Sequence, residues 1–252
     1  MSNNHTGNNG LSGCSAKEKE MFTWDGPLPE PQVRMAEDLT QVLAERNCSI
    51  KGPIYFMYRN LSRTNVDREW LRDNNLRYDV TVIPPSVLCG EYVKTKGHYH
   101  PDSPLGAGYP EIYEVLEGSA EYLLQDKALS DAVVLTAGKG DTVLIPPGYG
   151  HVTINPGSTT LVMANIVSTA FESIYADYED LRGAVYYRME RSGYVKNPGY
   201  PVHPQLRYIR TCNVAGFPGI HNRPLYRMVG EEHTLLFLNS PEKFLFDAVL
   251  QG

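Results

Sequence analysis

The stretch EIYEVLEGSAEYLLQDKALSDAVVLTAGKGDTVLIPPGYGHVTIN, at residues 111–155, decides the fold. It is a succession of short apolar or alternating runs, separated by glycine, proline and charged turn residues. Runs of the same kind flank it, namely PIYFMYRN, RYDVTVI, GEYVKTKGHYH and TTLVMANIV. No long helical pattern interrupts the series. An antiparallel sandwich or barrel of jelly-roll type is therefore predicted.

The flanking segments differ in composition from this block. Residues 1–20 are rich in Asn, Ser and Gly and carry almost no apolar side chains, so a disordered tail is predicted. Residues 21–50 are predicted to form an N-terminal helical extension and residues 51–185 the barrel domain. Residues 186–252 are predicted to be an irregular C-terminal extension that packs on or beside the barrel. The predicted fold class is all-β.

Three segments outside the strand-rich block carry weaker secondary-structure signals. An amphipathic helix of about four turns is predicted over residues 29–47. Its apolar positions lie at helical spacing, and they are Val33, Ala36, Leu39, Val42 and Leu43. GAVYYRM at residues 183–189 and TLLFL at residues 234–238 are predicted strands, and residues 171–182 are predicted to be a helix or an acidic loop.

The charge balance and the cysteines exclude several classes of protein. The chain has 252 residues, 29 acidic and 23 basic, which gives a net charge of −6. Such an acidic chain argues against nucleic acid and anionic membranes as partners, and no apolar run has the length of a membrane span. The four cysteines are far apart in sequence, without a CxxC pair: Cys14, Cys48, Cys89 and Cys212. Neither a disulfide framework nor a zinc knuckle is expected, and a reducing cytoplasm is the predicted location.

Three histidines and one glutamate indicate a metal site. His98 and His100 are two residues apart on a predicted strand, so both side chains leave the same face of the sheet. Glu111 opens the next strand, and His151 follows a glycine- and proline-rich turn. In a barrel, these positions can converge on one interior point. Three imidazoles and a carboxylate suit a divalent transition metal and leave coordination positions open.

The other four histidines lack such neighbours in the sequence. They are predicted to be surface or packing residues: His5, His203, His221 and His233.

The two histidine-containing blocks resemble the paired motifs of the cupin superfamily. The second block matches the cupin pattern at Gly140, Pro146, Gly148, His151 and Asn155. The first block matches it at His98, His100, Glu111 and Gly118, with a longer gap before the glutamate. The insert PDSPLGAGYP, at residues 101–110, is predicted to be a loop between two strands.

The residues around these motifs narrow the resemblance to one family. TKGHYH at residues 95–100, PEIYEVLEG at 110–118 and IPPGYGHVTINPG at 145–157 resemble the archaeal-type, cupin glucose-6-phosphate isomerases. The similarity continues through YLLQ, IYFMYRN and DVTVIPP and covers about residues 50–170.

The resemblance implies a role for each matching position. It implies that His98, His100, Glu111 and His151 are the metal ligands. It implies that Thr81, Thr95 and the Gly97 backbone hold the sugar phosphate and that Tyr55 and Tyr113 contact substrate. The best-known members carry a histidine before an Asp-Tyr pair, whereas this chain has Ala176 before Asp177 and Tyr178.

The function implied by the resemblance is metal-dependent interconversion of glucose 6-phosphate and fructose 6-phosphate. Glu111 is expected to act as the base through an enediol, with a hydride shift as the alternative. The expected metal is Fe²⁺, with Mn²⁺, Ni²⁺ or Zn²⁺ as alternatives, one per chain. A cytoplasmic homodimer in glycolysis or gluconeogenesis is further implied. Two other functions compatible with the motifs are a cupin metal dioxygenase and a non-catalytic sugar- or metal-binding cupin.

Overall fold

The computed structural model of the chain describes residues 22–210, 212–217, 219–220 and 223–251. The predicted disordered tail therefore lies outside the described residues, as do His5 and His221.

Fourteen strands account for most of the regular structure of this part of the chain. In chain order they are β1 Gln32–Met35, β2 Pro53–Tyr58, β3 Leu76–Ile83, β4 Val87–Leu88, β5 Glu91–Tyr92, β6 Glu111–Glu117, β7 Ser119–Asp126, β8 Ala132–Gly138, β9 Thr142–Ile145, β10 Tyr149–Ile154, β11 Leu161–Ser168, β12 Tyr186–Met189, β13 Gly193–Lys196 and β14 Leu206–Ile209. Eight of the predicted runs thus correspond to strands, namely β2, β3 and β6 to β11. The predicted strand GEYVKTKGHYH is wrong in its extent, because it forms only the short β5 and, beyond it, isolated bridges to β10 and Ile174.

The strands form three sheets, two of which build the barrel. The larger sheet has six strands in the order β1-β2-β3-β11-β6-β9, and the facing sheet has the order β10-β7-β8-β14. A smaller sheet, β13-β12-β5-β4, lies beside them. Every pairing is antiparallel except that of β14 with β8. Sequentially distant strands are neighbours, as in a jelly roll, which confirms the predicted all-β fold class.

The hydrophobic core lies between the two large sheets. Side chains from both sheets are at most 1% exposed there, among them Ile112, Val115, Tyr122, Leu124, Val152 and Ile166. The rings of Tyr113 and Tyr122, one from each sheet, lie 5.4 Å apart. This packing makes a rigid scaffold for polar groups at the open end of the barrel.

Helices are short and lie outside the barrel. They are α1 Asn65–Asp73, α2 Ala176–Asp180 and α3 Glu232–Leu235, with 3₁₀ segments at Ala36–Val42, Leu225–Met228, Leu236–Leu238 and Pro241–Lys243. Within the described ranges, no helix is long and apolar enough to cross a membrane. Helix α1 was not predicted, and its start is fixed by a capping box between Thr64 and Asp67.

The predicted α-helix over residues 29–47 is wrong in its detail. Gln32–Met35 instead pairs with β2 as a strand, and a 3₁₀ helix follows it. The buried side chains of that segment are Ala36, Leu39 and Val42. Their spacing of three residues matches the 3.0 residues per turn of a 3₁₀ helix, which places them on one side.

The C-terminal extension packs on the barrel through β14 and the helical segments after it. The backbone N–H of Leu225 donates to Oε2 of Glu114 on β6, and Leu225 and Met228 are fully buried. The predicted strand at residues 183–189 is confirmed as β12. The predicted strand at residues 234–238 is wrong, because that short apolar run is helical, and apolar runs of this length do not distinguish a strand from a buried helix.

A disulfide joins Cys48 and Cys89, so the expectation of no disulfide is wrong. The two cysteines are 41 residues apart in sequence, and their Cα atoms lie 5.8 Å apart. Their segments meet because the Ala44 N–H donates to Glu91 and the Lys94 ammonium donates to the Val42 carbonyl. The pairing removes the sequence argument for a reducing compartment.

Candidate metal centre and active site

The segment that carries His98 and His100 is extended but is not a regular strand. It pairs with β10 through two backbone hydrogen bonds between His98 and His151, one in each direction, with N···O distances of 3.3 and 3.1 Å. Gly97 has a φ of +84°, and a Cβ there would lie 2.6 Å from the Tyr178 ring. Only glycine fits this turn of the backbone, which brings the two imidazoles to the barrel mouth.

The imidazole of His100 is oriented by the predicted loop at residues 101–110. Its Nδ1 lies 2.9 Å from the Tyr109 carbonyl oxygen and donates to it, which leaves Nε2 as the free nitrogen. That Nε2 lies 3.1 Å from Nε2 of His98. The long insert before Glu111 thus helps to position a predicted ligand.

Glu111 opens β6 and is buried beneath the imidazoles. Its Oε1 accepts a 2.7 Å hydrogen bond from the side-chain amide of Asn165 on β11. Its Oε2 lies 3.3 Å from Nε2 of His100 and 3.3 Å from Nε2 of His151. The carboxylate is therefore held on one side by an amide and faces the histidines with the other oxygen.

The four predicted ligands converge on one point. One potential ligand atom from each of His98, His100, Glu111 and His151 lies within 4.8 Å of the other three. The structure thus brings together all the residues that the sequence predicted for a metal site.

Burial sets the charge of this cluster. It lowers the pKa of His98 well below the usual range and also lowers the pKa of His151, so both imidazoles are neutral. Burial alone would raise the pKa of Glu111, but the adjacent His100 and His151 outweigh it and hold that pKa well below its usual range. Glu111 is therefore an ionised carboxylate beside the neutral imidazoles of His98 and His151.

The residues fit a divalent metal ion. Within the described residues, Oε2 of Glu111, the oxygen that faces the imidazoles, is buried without a hydrogen-bond partner. Buried polar atoms in native proteins are normally paired, and a buried carboxylate needs a compensating cation. A transition metal held by the imidazole nitrogens would pair this oxygen and supply the cation.

The predicted substrate residues line the cavity above this centre. They are Tyr55, Thr81, Thr95, Gly97 and Tyr113. The Tyr55 hydroxyl accepts hydrogen bonds from the Arg34 side chain and the Lys96 N–H, which leaves its own hydrogen free to donate. The Thr95 hydroxyl accepts from the Thr153 N–H at 2.9 Å and keeps its hydrogen for another acceptor.

Several cavity residues were missed in the sequence. Arg34, Arg59 and Arg77 line the same cavity, beside Asn165 and Tyr175. The arginines come from three segments that are separated in sequence, so no basic run marked them. Asn165 could have been identified from the sequence, because it is a polar residue in the middle of the apolar run TTLVMANIV and a buried polar residue needs a partner.

With this geometry established, comparison with known proteins decides the family. A family model described as Glucose-6-phosphate isomerase (GPI) matches residues 33–204, which include the metal centre and its cavity. The chain belongs to the glucose-6-phosphate isomerase family. The resemblance inferred from the sequence is thereby confirmed.

Individual members of the glucose-6-phosphate isomerase family align with part of the chain. Glucose-6-phosphate isomerase of Thermococcus gammatolerans is 34% identical over 95 residues, covering 38% of this chain and 48% of the relative. Glucose-6-phosphate isomerase of Pyrococcus furiosus is 30% identical over 95 residues, covering 38% of this chain and 48% of the relative. Glucose-6-phosphate isomerase of Pyrococcus horikoshii is 28% identical over 136 residues, covering 49% of this chain and 68% of the relative. The chain thus spans about half the length of the first two relatives.

Solved structures show partial likenesses to this member of the glucose-6-phosphate isomerase family. Vicilin from Corylus avellana has a TM-score of 0.38 at 14% identity, covering 58% of this chain and 33% of vicilin. A variant of oxalate decarboxylase from Bacillus subtilis has a TM-score of 0.36 at 18% identity, covering 50% of this chain and 29% of the decarboxylase chain.

Proposed function

We propose that this protein is a metal-dependent isomerase that interconverts glucose 6-phosphate and fructose 6-phosphate. The observation that carries the proposal is the convergence of His98, His100, Glu111 and His151 below a cavity lined by every predicted substrate residue. This cluster lies inside the segment that matches the glucose-6-phosphate isomerase family.

The proposed cofactor is one divalent metal per chain, Fe²⁺ in preference to Mn²⁺, Ni²⁺ or Zn²⁺. The three imidazoles and Glu111 would hold it, and a bound metal would supply Lewis-acid polarisation of the sugar carbonyl. All four metals accept a mixed set of nitrogen and oxygen ligands, so the ligand set supports a transition metal as a class.

Glu111 is the proposed general base. It removes the C2 proton of open-chain glucose 6-phosphate while O1 gains a proton to give the enediol, and it returns its proton to C1 while the O2 hydroxyl loses a proton to form the C2 carbonyl. Overall, one proton passes from C2 to C1 through Glu111 and one passes from O2 to O1. The Asn165 hydrogen bond to Oε1 keeps the carboxylate in one orientation. In the alternative route, hydride moves directly from C2 to C1, and Glu111 serves only as a ligand. Deuterium gained by the product in heavy water supports the proton route.

Phosphate recognition is proposed to combine Thr81, Thr95 and the Gly97 N–H with Lys96 beside them. Arg34, Arg59 and Arg77 also line the cavity. These cations favour an anionic substrate over the apolar substrate of a dioxygenase.

Substrate entry requires movement of the residues above the centre. The cavity has a volume of about 70 Å³, below the ~300–1,000 Å³ of ordinary ligand pockets. The Phe171 ring lies 4.5 Å from the His100 ring, and the Tyr175 ring lies 5.4 Å from the His98 ring. We propose that these two aromatics move aside when a sugar phosphate binds. Tyr175 occupies the part of the chain where related enzymes carry the histidine that Ala176 replaces here.

The assembly, pathway and location are proposals of the same kind. A homodimer, a role in glycolysis or gluconeogenesis and a cytoplasmic location follow from the family resemblance. The Cys48–Cys89 disulfide gives no support to the cytoplasmic location.

A coupled assay of the Fe²⁺-loaded protein, run in both directions alongside an oxygen electrode, tests the proposal. An isomerase converts glucose 6-phosphate to fructose 6-phosphate without consuming oxygen. Oxygen uptake without isomerisation would instead indicate the dioxygenase. Sugar-phosphate binding without turnover would indicate a binding protein.

A further inference from the structure

A second cavity, of about 390 Å³, lies between α1 and the start of β3. Six of the nine described residues that line it are asparagine, serine or arginine, whose side chains carry hydrogen-bond donors: Asn60, Ser62, Arg68, Arg72, Asn75 and Arg77. Its volume falls in the ~300–1,000 Å³ range of pockets that bind small molecules. The cavity is separate from the metal centre, and no predicted substrate residue lines it.

Three arginines converge on this second cavity in an otherwise acidic protein. Arg68 and Arg72 lie one turn apart on α1, and Arg77 faces them from β3. Among the residues that line the cavity in the described structure, none is a carboxylate. Like charges one helical turn apart repel each other. A bound anion would relieve that repulsion.

The carboxylates outside the wall leave part of this positive charge uncompensated. Arg72 pairs with Asp73 at 2.9 Å, and Arg77 pairs with the buried Asp79, which also pairs with Arg59. Arg68 forms no ion pair with any described residue. Its Nε donates to the Ser62 hydroxyl at 3.3 Å, which holds the guanidinium at the cavity.

Further hydrogen-bond donors face no partner in the described part of the chain. The side-chain amides of Asn60 and Asn75 make no hydrogen bond with another described residue. Nε of Arg77 is buried without a well-aligned acceptor, although it lies 2.9 Å from Asp79. Guanidinium and amide groups of this kind bind phosphate oxygens and sugar hydroxyls.

We propose that the second cavity binds a small phosphorylated polyol, such as a sugar phosphate, and not a nucleotide. The arginines would bind the phosphate, and the two asparagine amides would bind hydroxyl groups. No aromatic residue lines the described wall, so a base would find no stacking surface. Arg77 lines both cavities, whereas Arg68, Arg72, Asn60 and Asn75 line only the second one and none of them holds the metal. The proposed site does not require the isomerase function, because the residues tested below belong to the second cavity alone.

The test is a titration of the full chain followed by heteronuclear NMR. The probes are ribose 5-phosphate and inorganic phosphate, and the resonances are the Ser62 and Asn75 backbone amides. Both resonances should shift, at lower concentrations of ribose 5-phosphate than of inorganic phosphate. In the double variant Arg68→Gln/Arg72→Gln, the dissociation constant should rise at least about tenfold, since each lost charge-assisted contact contributes substantially.

The matched control is Arg46→Gln/Arg191→Gln, which removes two exposed arginines that line neither cavity. It should bind like the unaltered protein. The proposal would be overturned if the Ser62 and Asn75 resonances did not shift. It would also be overturned if the Arg68→Gln/Arg72→Gln variant bound ribose 5-phosphate as tightly as the unaltered protein. Equal affinity for both probes would assign it to free phosphate. Each result is measured on residues of the second cavity. The outcome therefore does not depend on whether the protein is an isomerase.

Discussion

The side-chain amide of Asn165 donates a 2.7 Å hydrogen bond to Oε1 of Glu111. The two residues lie on adjacent strands, β11 and β6, where Asn165 is opposite Tyr113, two positions along from Glu111. Diagonal neighbours on one sheet face are within reach of each other's side chains. Asn165 therefore occupies Oε1 and leaves Oε2 for the imidazoles, and this arrangement underlies the predictions below.

Removal of one imidazole should abolish stoichiometric metal binding. His100→Ala deletes a nitrogen that is fixed toward the centre by the Tyr109 carbonyl. Elemental analysis of the purified variant should show well below one metal ion per chain. The control is His233→Ala, which alters an exposed histidine and should retain metal. Full loading of the His100 variant would show that the cluster is not the metal site.

Glu111→Gln should remove most isomerase activity while the fold persists. The variant keeps the side-chain shape and an oxygen for Asn165 but cannot accept a proton. General base catalysis contributes ~10²–10⁴-fold, so a loss of at least about 100-fold is expected. Steady-state kinetics at matched metal content measures it.

The matched control for that variant lies on the same strand. Glu114 is three residues from Glu111, and its carboxylate accepts from the Leu225 N–H at 2.6 Å. Burial raises the pKa of Glu114, so Glu114→Gln keeps the acceptor and removes only the cost of a buried charge. It should keep near-parental activity. Equal activity of both variants would exclude Glu111 as the base.

Thr95→Val should raise the Michaelis constant for the sugar phosphate roughly tenfold, since a hydrogen bond to a charged group contributes ~1.5–3 kcal/mol. Valine preserves the β-branch but removes the hydroxyl. It also removes the acceptor of the Thr153 N–H. Thr95→Ser, which retains the hydroxyl, should therefore restore the parental constant. An unchanged constant in the valine variant would place the phosphate elsewhere.

Reduction of the Cys48–Cys89 disulfide should lower the melting temperature. The bond closes a loop with a sequence separation of 41 residues, for which the chain-entropy model gives about 4 kcal/mol. Thermal unfolding with and without dithiothreitol measures the effect. The double variant Cys48→Ser/Cys89→Ser should melt at the lower temperature in both conditions. A parental protein unaffected by reductant would argue that the two thiols are unpaired in solution.

The sequence predicted the barrel because its strands alternate with clear turn signals. It predicted the metal ligands for a related reason, since residues two apart on an extended segment point the same way. His98 and His100 keep this relation even though their segment lacks a regular ladder, and their Nε2 atoms lie 3.1 Å apart.

The features that the sequence did not predict depend on contacts between distant segments. Arg34, Arg59 and Asn165 reach the cavity from three different strands or strand ends. Cys48 and Cys89 meet only because the two segments that carry them pack together. An α-helix was predicted where the structure has a 3₁₀ helix at Ala36–Val42. Over only two turns, the apolar spacing of a 3₁₀ helix is hard to distinguish from that of an α-helix.

The central claim is that the cluster of His98, His100, Glu111 and His151 is the active centre of a sugar-phosphate isomerase. The most direct measurement follows glucose 6-phosphate labelled with ¹³C at C2 by NMR. The protein is tested as loaded with Fe²⁺, after chelation and after reloading. The labelled carbon should convert to the C2 of fructose 6-phosphate with loaded protein, stop converting after chelation and resume after reloading. No conversion by protein shown to hold one metal ion per chain, or conversion that persists in the fully chelated protein, would contradict the claim.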